Sequence, residues 1–144
     1  MKRLFLTLVT ALFVAGVAAA DNRPISLDRL PQKAQAFLKQ HFSDQDVKLV
    51  TQDDDLVGRD YEVMLADGTK IDFSSSGDWH EVAMRQGAVP ASVVPAAIAA
   101  YVKQHYATTH IVRIERDRSN WELKLSNGLE LTFDKHYRVI DIDD

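Results

Sequence analysis

Tyr61-Glu62-Val63-Met64-Leu65-Ala66-Asp67-Gly68 is written a second time, 60 residues later, as Trp121-Glu122-Leu123-Lys124-Leu125-Ser126-Asn127-Gly128. Apolar and polar residues alternate in both, at the period of two that a half-buried strand requires. Asp-Gly and Asn-Gly then supply hairpin turn chemistry, because glycine accepts the positive φ that such turns need. Ile71 and Phe73 resume the alternation after the first turn, and Phe133 stands 60 residues beyond Phe73. The stretch predicts an antiparallel hairpin, present twice.

A second matched stretch lies upstream of each hairpin. Pro31-Gln32-Lys33-Ala34-Gln35-Ala36-Phe37-Leu38-Lys39-Gln40-His41-Phe42 aligns with Pro95-Ala96-Ala97-Ile98-Ala99-Ala100-Tyr101-Val102-Lys103-Gln104-His105-Tyr106 at an offset of 64 residues. Leu30, Ala34, Phe37, Leu38 and His41 share one helical stripe, as do Val94, Ile98, Tyr101, Val102 and His105. Pro31 and Pro95 suit the first helical turn, where a missing N–H costs nothing. Val89-Pro90-Ala91-Ser92 is expected as a turn into the second helix. The difference in offset falls between residues 52 and 60, expected as a longer loop in the first copy.

Further strands are predicted at 47–51 and 111–115 before the hairpins, and at 79–82 and 139–142 after them. Turns near Ser76-Gly77 and His136 precede the last strand of each copy. Each half, about 27–84 and 89–144, thus reads as one helix and a four-stranded antiparallel meander. The predicted architecture is α+β: two tandem units, helices packed on one face of the sheet and the other face open.

Several of these pieces together resemble a known family. They are Leu30-Pro31 ahead of a helix, the Tyr-x-Val-x-Leu-x-Asp-Gly of 61–68, Phe73, Gly77-Asp78-Trp79, and the Val89-Pro90 linker. Ser126-Asn127-Gly128-Leu129-Glu130-Leu131-Thr132-Phe133-Asp134 completes the pattern. The combination resembles the secreted PepSY-like proteins, which are similar to the β-lactamase-inhibitor-protein fold, and it runs from about Leu30 to Asp143. His136-Tyr137 departs from the first copy's Ser76-Gly77. The resemblance implies a single tandem-repeat domain over 21–144 in a periplasmic or secreted setting. Through its inhibitor relatives it implies binding or restraint of another protein, often an enzyme. It implies no catalytic residue and no cofactor.

The amino terminus fits that setting. Lys2 and Arg3 precede an apolar run to Val17 and then Ala18-Ala19-Ala20, the three parts of a secretory signal peptide with cleavage after Ala20. The run is shorter than the ~18 residues of a spanning helix. Residues 1–20 hold two basic residues and no acid, so 17 basic against 21 acidic becomes 15 against 21, a net charge of −6. Such a chain is repelled by polyanions and anionic headgroups, which argues against nucleic acid and, after cleavage, against membrane binding. The absence of cysteine excludes disulfides, thiol nucleophiles and thiolate metal sites.

Chemistry-bearing residues are present without a constellation. His41, His80, His105, His110 and His136 form no ligand pair at metal spacing, and duplication explains His41 and His105. Asp53-Asp54-Asp55 and the terminal Asp141, Asp143 and Asp144 lack the spacing of a calcium loop, so a solvated loop is expected. Ser74-Ser75-Ser76-Gly77 lacks a strand-to-helix elbow and a base, and reads as a turn. No nucleophile, base and orienting group come together, so the reading is non-enzymatic.

What remains is a surface. If Tyr61, Val63, Leu65, Ile71 and Phe73 face the helices, alternation puts Glu62, Met64, Lys70, Asp72, Glu122, Lys124, Glu130 and Thr132 on the opposite face. A protein partner in the cell envelope is expected there, touching Glu62, Met64, Asp72, Glu122, Lys124 and Glu130, with Trp79 nearby. Small-ligand or cation binding, or a structural envelope role without a dedicated ligand, are the alternatives. Nothing in the sequence sets an oligomeric state.

Overall fold

A computed structural model describes residues 22–55 and 58–144. The expected signal peptide at 1–20 and its cleavage point lie outside the described residues. Strands β1 (Arg23–Pro24), β2 (Val47–Asp55), β3 (Gly58–Leu65), β4 (Lys70–Phe73) and β5 (Trp79–Ala83) precede β6 (Ile111–Arg116), β7 (Asn120–Leu125), β8 (Glu130–Asp134) and β9 (Val139–Asp143). Helix α1 (Gln32–His41) follows β1, and α2 (Ala96–His105) lies between β5 and β6. Pro31 and Pro95 stand just before the helices with φ of −51° and −54°.

The repeated hairpins form for the local reason read from the sequence. Leu65 accepts a hydrogen bond from the Gly68 N–H at 3.0 Å, and Leu125 from Gly128 at 2.9 Å. Both glycines have positive φ, 88° and 93°. Tyr61, Val63 and Leu65 are buried, as are Leu123, Leu125, Leu131 and Phe133, all in one hydrophobic core with Ala34, Leu38, Ile98 and Val102. Each buried aliphatic side chain contributes about 1.5–3 kcal/mol. Register shifts recur at matching places, Val47/Leu49 with Ile111/Arg113 and Asp72/Phe73 with Thr132/Phe133. The duplication therefore extends to irregularities that no alternation pattern announces.

The expected fold is corrected in three respects. Instead of two helix-plus-four-strand units there is one nine-stranded antiparallel sheet, in the order β1 to β9, with two ten-residue helices. Pairing of β5 with β6, Glu81↔Glu115, Val82↔Ile114 and Ala83↔Arg113, fuses the halves. The sheet also gains β1, which pairs with β2 through Arg23↔Gln52 and Pro24↔Thr51.

Second, the helices are not a covering layer. A ten-residue helix is about 15 Å long and about 10 Å across, whereas nine strands span about 38 Å. Their contact with the sheet runs through large side chains. Phe37 meets Phe73 and Trp79 at centroid distances of 5.6 and 5.8 Å, and Tyr101 meets Phe133 at 5.4 Å.

Third, the expected loop at 52–60 is mostly strand. Asp53 pairs with Asp60 and Asp54 with Arg59 in the β2–β3 ladder. Arg23 of β1 forms an ion pair with Asp54, and Gln52 Nε2 donates to the same carboxylate at 3.0 Å, so the acidic run is held extended.

One turn separates the two copies. Gly77 has φ of 86°, and a Cβ there would lie 2.8 Å from Pro31 Cβ and 3.1 Å from the Ala34 nitrogen. At the equivalent place, Tyr137 takes the left-handed conformation itself, φ 62°. Gly128 also has positive φ, yet a Cβ there would meet nothing within 4 Å. Gly77→Ala is expected to cost about 2–3 kcal/mol, strain plus displacement of α1. Gly128→Ala should cost only about 1 kcal/mol, the conformational part. Urea unfolding of both variants measures the difference.

Candidate functional site

On each strand the residues between core positions project to the opposite face. Register aligns them into rows across the sheet. Thr51, Glu62, Asp72, Glu81, Glu115, Glu122, Thr132 and Asp141 are successive cross-strand partners from β2 to β9. From β3 to β7 every member of that row is a carboxylate. Directly opposed like charges destabilise a sheet unless something compensates them.

The neighbouring row supplies part of the compensation. It runs Met64, Lys70, Ala83, Arg113, Lys124, Glu130 and Asp143. Lys70 Nζ lies 3.7 Å from Glu62, and Lys124 Nζ lies 3.7 Å from Glu130. Arg113 is the central cation: its Nε donates to Glu81 at 2.7 Å and its Nη2 to Glu115 at 2.5 Å. The hydrogen bond from Arg113 to Glu81, reinforced by the charges of Glu81, Glu115 and Glu122, holds that guanidinium ionised. Among the described residues, Asp72, Glu122 and Asp141 enter no ion pair.

Asp72 records the strain of this arrangement. Its pKa is pushed up to about 6, first by burial and then by the charges of Glu81 and Glu62; His80 and Lys70 act in the opposite direction. Asp72 also lines a polar cleft of about 230 Å³ with Asn22, Asp53, Asp60, Glu62 and His80. Within it Asp53 Oδ1 is buried and accepts no hydrogen bond.

The residues expected to meet a partner divide between two places. Glu62, Met64 and Asp72 are half-buried members of the polar rows, and Glu122, Lys124 and Glu130 are exposed members of the same rows. Trp79 does not join them. It pairs with Phe73 and is buried against Phe37, with the Arg116 guanidinium 4.1 Å from its ring and Trp121 6.1 Å away. A register shift between Asp72 and Phe73 puts Trp79 on the core side. Asp141, read from the sequence only as part of a terminal acidic cluster, joins the face; Glu81, Arg113 and Glu115 complete it and were not singled out by the sequence. Their alternation is visible in 79–82 and 111–115, but the adjacency of those strands is not.

The remaining candidates are accounted for locally. Among the described residues no group of three or more His, Asp or Glu side chains is disposed to hold a metal ion. His41 Nδ1 lies 2.8 Å from Ser92 Oγ, and burial lowers its pKa. His105 is exposed and lies against Tyr101. The Ser74 and Ser76 hydroxyls are 2.9 Å apart, and Ser76 donates to Asp78 at 2.9 Å, which is turn chemistry.

A family model described as "putative beta-lactamase-inhibitor-like, PepSY-like" matches residues 18–62 and 59–141. The chain belongs to the PepSY-like family. The two matches also agree with a tandem repeat. Among curated proteins nothing matches the chain. It is similar to a solved Bacteroides thetaiotaomicron protein described as a "putative calcium-regulated periplasmic protein": 43% identity, TM-score 0.84, covering 86% of this chain and 98% of that one. A Bacteroides vulgatus protein described as a "putative periplasmic protein" is also 43% identical at TM-score 0.84, covering 88% and 99%. Another from the same organism, of unknown function, is 36% identical at TM-score 0.79, covering 83% and 95%. All three are described as "putative" periplasmic proteins, and no helix among the described residues is long and apolar enough to cross a membrane.

The raised pKa of Asp72 has a defined consequence for stability. A carboxyl that binds its proton more tightly when folded favours the fold below its unfolded pKa of 3.8, and that contribution is lost as pH rises through about 6. Asp72→Asn is therefore expected to raise the melting temperature by roughly 3 °C at pH 7. The gain should vanish near pH 4, as thermal unfolding at the two pH values would measure.

Proposed function

We propose that this PepSY-like protein is a non-enzymatic binding protein of the periplasm that recognises a cationic segment of another envelope protein through its polar sheet face. The observation that carries the reading is the carboxylate row from Glu62 to Glu122, in which burial first, and then the charges of Glu81 and Glu62, push the pKa of Asp72 up to about 6. Opposed side chains on neighbouring strands are about 5 Å apart. That spacing suits several separate cations on one partner better than a single ion. A cation placed over Asp72 would relieve its repulsion from Glu62 and Glu81, and complementary charge adds to rate and specificity of association.

A second reading, divalent-cation binding, is favoured by Asp53 Oδ1, buried without a hydrogen-bond donor in the cleft it shares with Asp60 and Asp72. The description of the Bacteroides thetaiotaomicron relative as calcium-regulated points the same way. The spread of the carboxylates weighs against it, since calcium takes six to eight oxygens at 2.3–2.6 Å.

Crosslinking in the envelope fraction separates the readings. The native chain is expected to give a discrete protein adduct that weakens as ionic strength rises. Glu62→Lys with Glu122→Lys should reduce that adduct at least tenfold while leaving the circular dichroism spectrum unchanged. An adduct indifferent to both charge reversals would sink the sheet-face reading. Millimolar calcium that raises the melting temperature of native protein but not of Asp53→Asn would favour the second.

A further inference from the structure

The two halves are equivalent residue for residue, but their outer edges are not finished alike. At the 60-residue offset β9 corresponds to β5, with Asp141 in the place of Glu81, Ile142 of Val82 and Asp143 of Ala83. The partners confirm the equivalence: Glu81 pairs with Asp72 and Asp141 with Thr132, Val82 with Ile71 and Ile142 with Leu131. The far edge of β5 is filled by β6. Among the described residues no strand fills the corresponding edge of β9.

The exposures measure what is missing. Val82 is 0% exposed beneath the junction with Ile114, whereas Ile142 is 49% exposed and Ile140 54%. An edge strand also presents outward backbone N–H and C=O groups, a template for a further strand. The opposite edge of the sheet is treated differently. At the 64-residue offset β2 corresponds to β6, and β1 lies against β2 as β5 lies against β6: Pro24 pairs with Thr51 where Glu81 pairs with Glu115. Ile25 N–H donates to Val50 at 2.9 Å, and Pro24 has no N–H to offer. Among the described residues one edge is capped by the chain itself, and the other is bare.

We infer that β9 accepts an added antiparallel strand from a basic partner, in the register that β6 takes against β5. The internal junction specifies its chemistry. Opposite Ile142 the partner needs an aliphatic residue, as Ile114 stands opposite Val82. Opposite Asp143 it needs a cation, in the place of Arg113, whose Nε reaches diagonally to Glu81 at 2.7 Å. Opposite Asp141, where β6 carries Glu115, the partner needs a second cation, because Asp141 enters no ion pair among the described residues. The same acids oppose pairing of β9 with a second β9, since Asp141 and Asp143 would meet like charges. The inference rests on the reading of the polar face as a cation-recognition surface. It adds the partner's backbone form and its point of entry, β-strand addition at the end of the carboxylate row.

The test uses a synthetic peptide copying residues 110–118 with Glu115→Lys, titrated into the full chain and followed by amide NMR. The amides of 140–143 are expected to shift and to exchange at least tenfold more slowly. N-methylation of one alternate set of peptide amides should abolish binding, and methylation of the other set should leave it intact. Asp141→Asn with Asp143→Asn should weaken binding at least tenfold. Equal binding by both methylated peptides, shifts confined to Glu62 and Asp72, or no binding would overturn the added strand. So would concentration-dependent assembly of the peptide-free chain that protects 140–143, which would make a second copy the occupant. If any of these occurs while Glu62→Lys with Glu122→Lys still removes the envelope adduct, the face reading stands and only the strand addition falls.

Discussion

The pairing of β5 with β6 is the interaction on which the molecule depends. Val82 and Ile114 are opposed and wholly buried, and Arg113 bridges Glu81 and Glu115 across and beside the same junction. The Met84 N–H donates to Val112 and the Val89 N–H to Ile111, both at 2.8 Å, which ties the start of the crossover to β6. Without this junction each half would expose a sheet edge and a strip of apolar surface. With it, one core runs under both hairpins, and one row of side chains crosses the sheet from end to end.

That continuity gives the polar face its electrostatic character. Within either half the carboxylates are few and partly offset by a lysine, Lys70 beside Glu62 or Lys124 beside Glu130. The junction sets Glu81 of the first half beside Glu115 of the second and joins the acids into one line. Arg113 neutralises the centre, and Asp72, half-buried beside Glu81 and Glu62, has its pKa raised by burial and then by those charges. Buried aliphatic residues on the opposite side of the same strands stabilise a face that is unfavourable on its own. Stability and recognition are thus divided between the two faces of one sheet.

Much of the fold was legible because it is local. Hairpins follow from Asp67-Gly68 and Asn127-Gly128, helices from the stripes of Leu30 and Val94, and the duplication from identity at two offsets. The candidate face was legible only in part. Alternation assigned Glu62, Asp72, Glu122 and Glu130 to one side, but a register shift moved Trp79 to the other, and Arg113 lay in a strand with no visible neighbour. The acidic run at Asp53 read as a loop because charge density suggests solvent. Its pairing partners, Arg23 and the β3 strand, are distant in the chain or hidden in an unremarkable stretch.

The sequence alone determined the two helices, the repeated hairpins, their duplication and the apolar side of the hairpin strands, since periods of 2 and 3.6 depend on the chain's own geometry. Only the tertiary structure decided that the halves share a single nine-stranded sheet, that β1 caps one edge and that β9 has no further strand beside it among the described residues. The reason is physical: alternation fixes which way a side chain points, whereas the choice of neighbouring strand depends on contacts between segments far apart in the chain. Those contacts turn scattered acids into a continuous row.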